Sequence, residues 1–159
     1  MGKSSGERVL GERLFRILLV EDNAADVYLM RQALKGAGLN FELTVIEDGA
    51  DALSFARRLG KYANSPIPDL AVIDLNLPKN GGGEVLAAMR QSETLSKVPV
   101  AIMTSSSAPA EQLRVSVLGV QRFITKPPIL EEFLQIGELL KEVLLDGSRL
   151  SCTDRSKPR

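Results

Sequence analysis

The chain has 159 residues, enough for one ordinary globular domain, and 44% of them are hydrophobic. Lys plus Arg number 20 and Asp plus Glu number 20, so the formal net charge is zero. That argues against a nucleic-acid binder, which at this size carries a basic excess. The chain has no histidine and one cysteine, Cys152, which excludes Ser-His-Asp and Cys-His catalysis, histidine-ligated zinc and an internal disulfide.

Every apolar run falls well short of the roughly 18 residues a membrane span needs, and Met1–Leu14 has no apolar signal core. A soluble, cytoplasmic domain with no membrane partner is expected.

Arg16–Val20 is a short, branched, apolar run halted by Glu21-Asp22-Asn23, the pattern of a buried parallel strand that ends in a polar loop. Asp26–Ala37 carries Val27, Met30, Ala33, Leu34 and Ala37 at helical spacing, and Gly38 closes it. Phe41–Ile46 reads as a second strand and Gly49–Leu59 as a second helix. Lys61–Pro68 is a polar connection. Leu70–Ile73 is a third strand running into Asp74, followed by a loop over Leu75–Gly83 and a short helix over Glu84–Arg90.

Val98–Met103 is a fourth strand ending at Thr104 and a serine run. Ala110–Leu118 is a weaker helix, Arg122–Ile124 a short fifth strand and Ile129–Leu145 a fifth helix. The domain is therefore expected over residues 15–145, with an N-terminal extension over 1–14. A polar tail over Asp146–Arg159 is expected to be disordered. Strands alternating with helices predict an α/β fold, a doubly wound parallel sheet with helices on both faces. Ligands in such folds bind at the carboxyl ends of the strands.

Those ends collect Glu21, Asp22, Asp74, Thr104 and, past the last strand, Lys126. Grouping three carboxylates is costly: two unit charges about 4 Å apart repel by ~4 kcal/mol at an effective dielectric of about 20. A hard divalent cation such as Mg²⁺ relieves that repulsion with oxygen ligands. One carboxylate can then accept a phosphoryl group. Asp74, at the end of the most apolar strand, is the candidate.

In this order and spacing, Glu21-Asp22, Asp74, Thr104 and Lys126-Pro127 resemble a response-regulator receiver domain of the CheY-like type, over about Arg16 to Leu145. Leu18-Leu19-Val20-Glu21-Asp22-Asn23, Asp74-Leu75-Asn76-Leu77-Pro78-Lys79, Thr125-Lys126-Pro127 and the long Gly60–Pro68 connection are similar to the stand-alone regulators paired with bacterial phytochrome kinases. The resemblance implies a flavodoxin-like five-stranded sheet of order 2-1-3-4-5. It implies that Asp74 accepts phosphate from a sensor histidine kinase, possibly within a phosphorelay. Glu21, Asp22, Asp74 and the backbone carbonyl of Asn76 then serve Mg²⁺, and Thr104 and Lys126 hold the phosphoryl oxygens.

Thr104 and Phe123 become the switch pair. Phe123 has no hydroxyl, so its part in the switch rests on packing alone. The resemblance also implies a cis Lys126–Pro127 bond. Such a protein is a signalling receiver rather than an enzyme on other substrates. The residues after Lys126 are too few for a winged-helix domain, so protein contacts, including a homodimer through the fourth and fifth helices, are the expected output.

Two other readings fit parts of the pattern. An aspartate-nucleophile small-molecule phosphotransferase typically has a second Asp two residues after the nucleophile, where this chain has Asn76. A constitutive adaptor with the same fold has no need of the full acid set. The glycines Gly81–Gly83 read as plain loop residues.

Overall fold

Five parallel strands form the centre of the computed structural model, which describes residues 13–77, 81–105 and 109–156. They are β1 (Phe15–Val20), β2 (Phe41–Ile46), β3 (Leu70–Asp74), β4 (Val100–Thr104) and β5 (Arg122–Thr125), in the order β2-β1-β3-β4-β5. The helices are α1 (Ala24–Gly36), α2 (Gly49–Ala56), α3 (Gly82–Gln91), α4 (Pro109–Ser116), α5 (Leu130–Leu134) and α6 (Ile136–Ser156). A 3₁₀ turn, Gly60–Tyr62, lies in the connection before β3. The expected doubly wound α/β fold and its strand order are both present.

Alternation along β1 sorts the two cores. Phe15, Ile17 and Leu19 face a cluster with Met30 and Leu34 of α1, Phe133 of α5, and Ile136 and Leu140 of α6. Leu18 and Val20 face the opposite cluster with residues of α2, α3 and α4. This is the period-two geometry of a strand buried on both sides. β3 and β4 are buried at every position, as their unbroken apolar runs predict, and each large aliphatic side chain so buried contributes about 1.5–3 kcal/mol. Edge strand β2 alternates between half-buried and exposed up to Ile46, which is buried.

Several boundaries differ from the sequence reading. Helix α1 starts at Ala24 rather than Asp26, because Asn23 caps it: its side chain accepts from the Ala25 N–H at 2.9 Å and the Asp26 N–H at 3.1 Å. The single helix expected over Ile129–Leu145 is two, α5 and α6, separated at Gln135. α6 then crosses α1 so closely that a Cβ on Gly137 would overlap the Ala33 carbonyl.

The helix also continues to Ser156, whereas a disordered tail from Asp146 was expected. Gly147 is the one poor helix former early in that stretch, at a cost of about 1 kcal/mol, and the first proline after it is Pro158. The Lys126–Pro127 bond is trans rather than cis; the isomers of an X–Pro bond differ by only about 0.5–1 kcal/mol, so local packing decides between them. Of the expected extension over 1–14, residues 1–12 lie outside the described residues, as do 78–80 and 106–108. Among the described residues no helix is long and apolar enough to cross a membrane.

Candidate functional site

Parallel pairing brings all five strand ends to one edge of the sheet. Asp74 pairs with Met103, and Thr104 with Thr125. The Leu75 N–H donates to the Met103 carbonyl at 3.0 Å and the Lys126 N–H to the Thr104 carbonyl at 2.8 Å, so the ladder runs one residue past β3 and β5. The Glu21 N–H likewise donates to the Ile46 carbonyl at 3.0 Å. Three loops thus leave the sheet with their first residues fixed, and their side chains meet above its edge.

Glu21, Asp74 and Thr104 are the buried polar residues of the described chain, at 2%, 4% and 1% exposure. Asp22 is exposed beside them. Carboxylate oxygens of Glu21, Asp22 and Asp74 lie within 4.8 Å of one another. Ligand oxygens about 2.0–2.1 Å from a Mg²⁺ ion sit at most about 4 Å apart, so a slight closure seats a hard cation here. The donors are all oxygen, as such an ion requires. Asn76 follows two residues after Asp74, at the same edge.

Lys126 enters this cluster as its internal cation. Its Nζ donates to Glu21 Oε1 at 2.8 Å, Asp26 Oδ2 at 2.8 Å and Asp74 Oδ2 at 2.9 Å, one carboxylate for each N–H. Burial alone depresses an ammonium's pKa, but the bonds to Asp26, Glu21 and Asp74 outweigh it and hold Lys126 above its ordinary value. Glu21 goes the other way. Burial dominates, opposed by the bonds from Lys126 and the Asn23 N–H, and its carboxyl is pushed up to about 7. Even with Glu21 protonated, the carboxylates of Asp22, Asp26 and Asp74 outnumber the single ammonium, leaving the site attractive to a further cation.

Both Asp74 oxygens are engaged: Oδ2 with Lys126, and Oδ1 accepting from the Asn76 N–H at 2.8 Å. The Thr104 hydroxyl donates to the Asn76 side-chain oxygen at 2.8 Å. Phe123 is half-buried on β5, packed against the core that holds α2, α3 and α4.

Two residues escaped the sequence reading. Asp26 is the third carboxylate on Lys126. It lies in the first turn of α1, whose start at Ala24 is fixed by the Asn23 cap. Gly82 is more than a loop glycine. It opens α3, and a Cβ on it would overlap the Asp74 carbonyl oxygen and lie 2.9 Å from Ile73 Cγ2 and 3.0 Å from the Leu75 Cα. The missing side chain lets α3 begin directly against the residue that carries the central carboxylate.

The profile of the response regulator receiver domain matches residues 17–137. The chain belongs to the response regulator receiver family. Response regulator Rcp1 of Synechocystis sp. is 36% identical over 130 residues, which cover 82% of this receiver and 88% of that protein. The phosphorylated cyanobacterial phytochrome response regulator RcpA superposes with a TM-score of 0.77 at 37% identity, over 84% of this receiver and 95% of that chain. The Mn²⁺-bound form of response regulator Rcp1 superposes with a TM-score of 0.73 at 36% identity, over 80% and 91% of the two chains. The receiver is thus a two-component signalling protein with a phytochrome-regulator likeness, and its acidic cluster is of the kind that takes a divalent metal.

Proposed function

We propose that this receiver accepts a phosphoryl group on Asp74 from a sensor histidine kinase of the bacteriophytochrome type, using Mg²⁺, and signals through protein contacts. The observation that carries the reading is Lys126 Nζ, 2.9 Å from Asp74 Oδ2 inside a cluster of acids. A structural salt bridge needs one carboxylate for one ammonium; this site holds an excess of negative charge at the end of the central strand. The likeness to regulators named for phytochromes supports the choice of donor.

An Asp74 oxygen attacks phosphorus, a P–O bond forms, and the P–N bond of the donor phosphohistidine breaks. The histidine nitrogen keeps the electron pair and takes a proton from water. Glu21, Asp22, Asp74 and the Asn76 carbonyl would hold Mg²⁺. When bound, that ion supplies positive charge to offset the phosphoryl oxygens. Lys126 releases Asp74 Oδ2 and turns its N–H to a phosphoryl oxygen. Thr104 exchanges the Asn76 side chain for another phosphoryl oxygen. The space it vacates admits the Phe123 ring, which repacks the α4 and β5 face.

Phosphorylation adds about −1.5 to −2 charges at the site, enough to bias such a two-state element. The protein catalyses only its own phosphorylation and dephosphorylation. Its donor's phosphohistidine is made from ATP, which supports a cytoplasmic location. Its output is a homodimer or a relay partner. Leu113 and Val117, 71% and 81% exposed one turn apart on and just past α4, support a second copy as the partner of that face.

The test is intact-mass measurement after incubation with acetyl phosphate and Mg²⁺. The receiver gains one acid- and base-labile phosphoryl group, and Asp74→Asn gains none. Full labelling of Asp74→Asn overturns the assignment.

A further inference from the structure

Lys126 must exchange partners during phosphoryl transfer, and the three carboxylates on its Nζ are not equivalent. Glu21 and Asp74 belong to the group whose oxygens crowd together for a cation; Asp26 does not. Asp74 is also the acceptor, so its bond to Lys126 is the one that has to open. Asp26 has neither duty. It sits on the first turn of α1, its backbone N–H held at 3.1 Å by the Asn23 side chain, and its carboxylate is 22% exposed and 2.8 Å from Lys126 Nζ.

The ammonium therefore has one partner that can stay fixed while the other two change. Without it, Lys126 would settle on Glu21 and Asp74, the carboxylates that the cation and the phosphoryl group both need.

We infer that Asp26 is a positioning residue for the transfer reaction. It tethers Lys126 over the acceptor so that the ammonium passes from Asp74 Oδ2 to the phosphoryl oxygen without leaving the site. The inference rests on the reading of Asp74 as phosphoacceptor. It acts on the rate at saturating donor rather than on donor affinity, because Asp26 touches the lysine and not the phosphate.

The experiment is a double-mutant cycle between Asp26→Ala and Lys126→Met. The full chain is incubated with Mg²⁺ and increasing acetyl phosphate, and phosphorylation is followed by intact mass. Asp26→Ala is expected to lower the rate at saturating donor about tenfold, the scale of one charge-assisted hydrogen bond, with the half-saturating donor concentration unchanged. In the Lys126→Met background it is expected to have no further effect. Asp26→Glu, which keeps the charge, restores most of the rate.

A purely structural role for Asp26 at the helix start would lower the melting temperature and slow both backgrounds by the same factor. That result, or a change below twofold in the wild-type background, overturns the inference. Should Asp26→Ala fail to fold, Asp26→Asn keeps the shape, removes the charge and is read by the same criteria. Asp74→Asn run in parallel separates the two levels: if it labels as well as wild type, the underlying reading falls; if it is silent, the outcome bears on Asp26 alone.

Discussion

The two ends of the sheet each hold a half-buried cation, and they do so in opposite ways. At the amino-terminal ends of β4 and β5, Arg90 donates to four backbone carbonyls: Nε to Leu118 at 2.7 Å, Nη1 to Ser96 at 3.0 Å and Val98 at 2.8 Å, and Nη2 to Gly119 at 2.7 Å. At the carboxyl ends, Lys126 meets three carboxylates. A rigid guanidinium fork on neutral, immobile acceptors is a staple. A flexible ammonium among ionised side chains is a movable charge, whose partners can be taken by a metal or a phosphoryl group. Burial moves the pKa of Arg90 down, whereas the acids move that of Lys126 up. One end of the fold is built to hold still so that the other can exchange contacts.

The comparison breaks most visibly at Arg90. Arg90→Met leaves four carbonyls without their donors and is expected to cost about 2–4 kcal/mol in chemical denaturation. Its phosphorylation rate under folding conditions is expected to stay within about twofold of wild type. A large loss of phosphorylation in a still-folded Arg90→Met would show that the two ends are not separable.

Gly82→Ala is the next largest effect, because the new methyl group meets backbone at the Asp74 carbonyl rather than a side chain that can turn away. A loss of about 1–3 kcal/mol is expected. Unlike the Arg90 variant, it should also slow phosphorylation, since α3 must shift against the acceptor. Unfolding curves and acetyl phosphate labelling on the same sample sharpen the contrast.

The smallest effect is the pH response of Glu21. Its carboxyl ionises near its ordinary value in the unfolded chain and at about 7 in the fold. Between those values the folded protein holds a proton that the unfolded chain has lost, so metal-free stability declines as pH rises through the window. Metal binding runs the other way, because the cation needs the ionised form. Calorimetric titration with Mg²⁺ is expected to show apparent affinity rising by up to about tenfold per pH unit below about 7, then levelling. Arg90 gives no such response in this range, and a flat profile would contradict the assignment of Glu21 to the cation site.

Much of this was legible without coordinates, for a physical reason. β3 and β4 are buried on both faces, so their apolar runs end where the strands leave the apolar core, and Asp74 and Thr104 mark those ends directly. Glu21, Asp22 and Lys126 follow by the same logic in the neighbouring loops. Asp26 was not legible, because an acid in a helix's first turn also suits the helix dipole, and only the cap at Asn23 sets its direction. The Thr104 bond to Asn76 joins two loops whose side-chain rotamers no pattern encodes. The break at Gln135 lies inside a continuous helical periodicity, and Gly82 looked like its neighbours until α3 was seen to start against Asp74.

The central claim is that the carboxylate of Asp74 becomes the phosphorylated group. Borohydride reduction of the protein after treatment with acetyl phosphate and Mg²⁺ converts an acyl phosphate into an alcohol, and peptide mass mapping locates it. The account predicts homoserine in place of aspartate at position 74, and none when the metal is chelated. Reduction at Asp22 or another acid, or labelling that persists without a divalent ion, would contradict it.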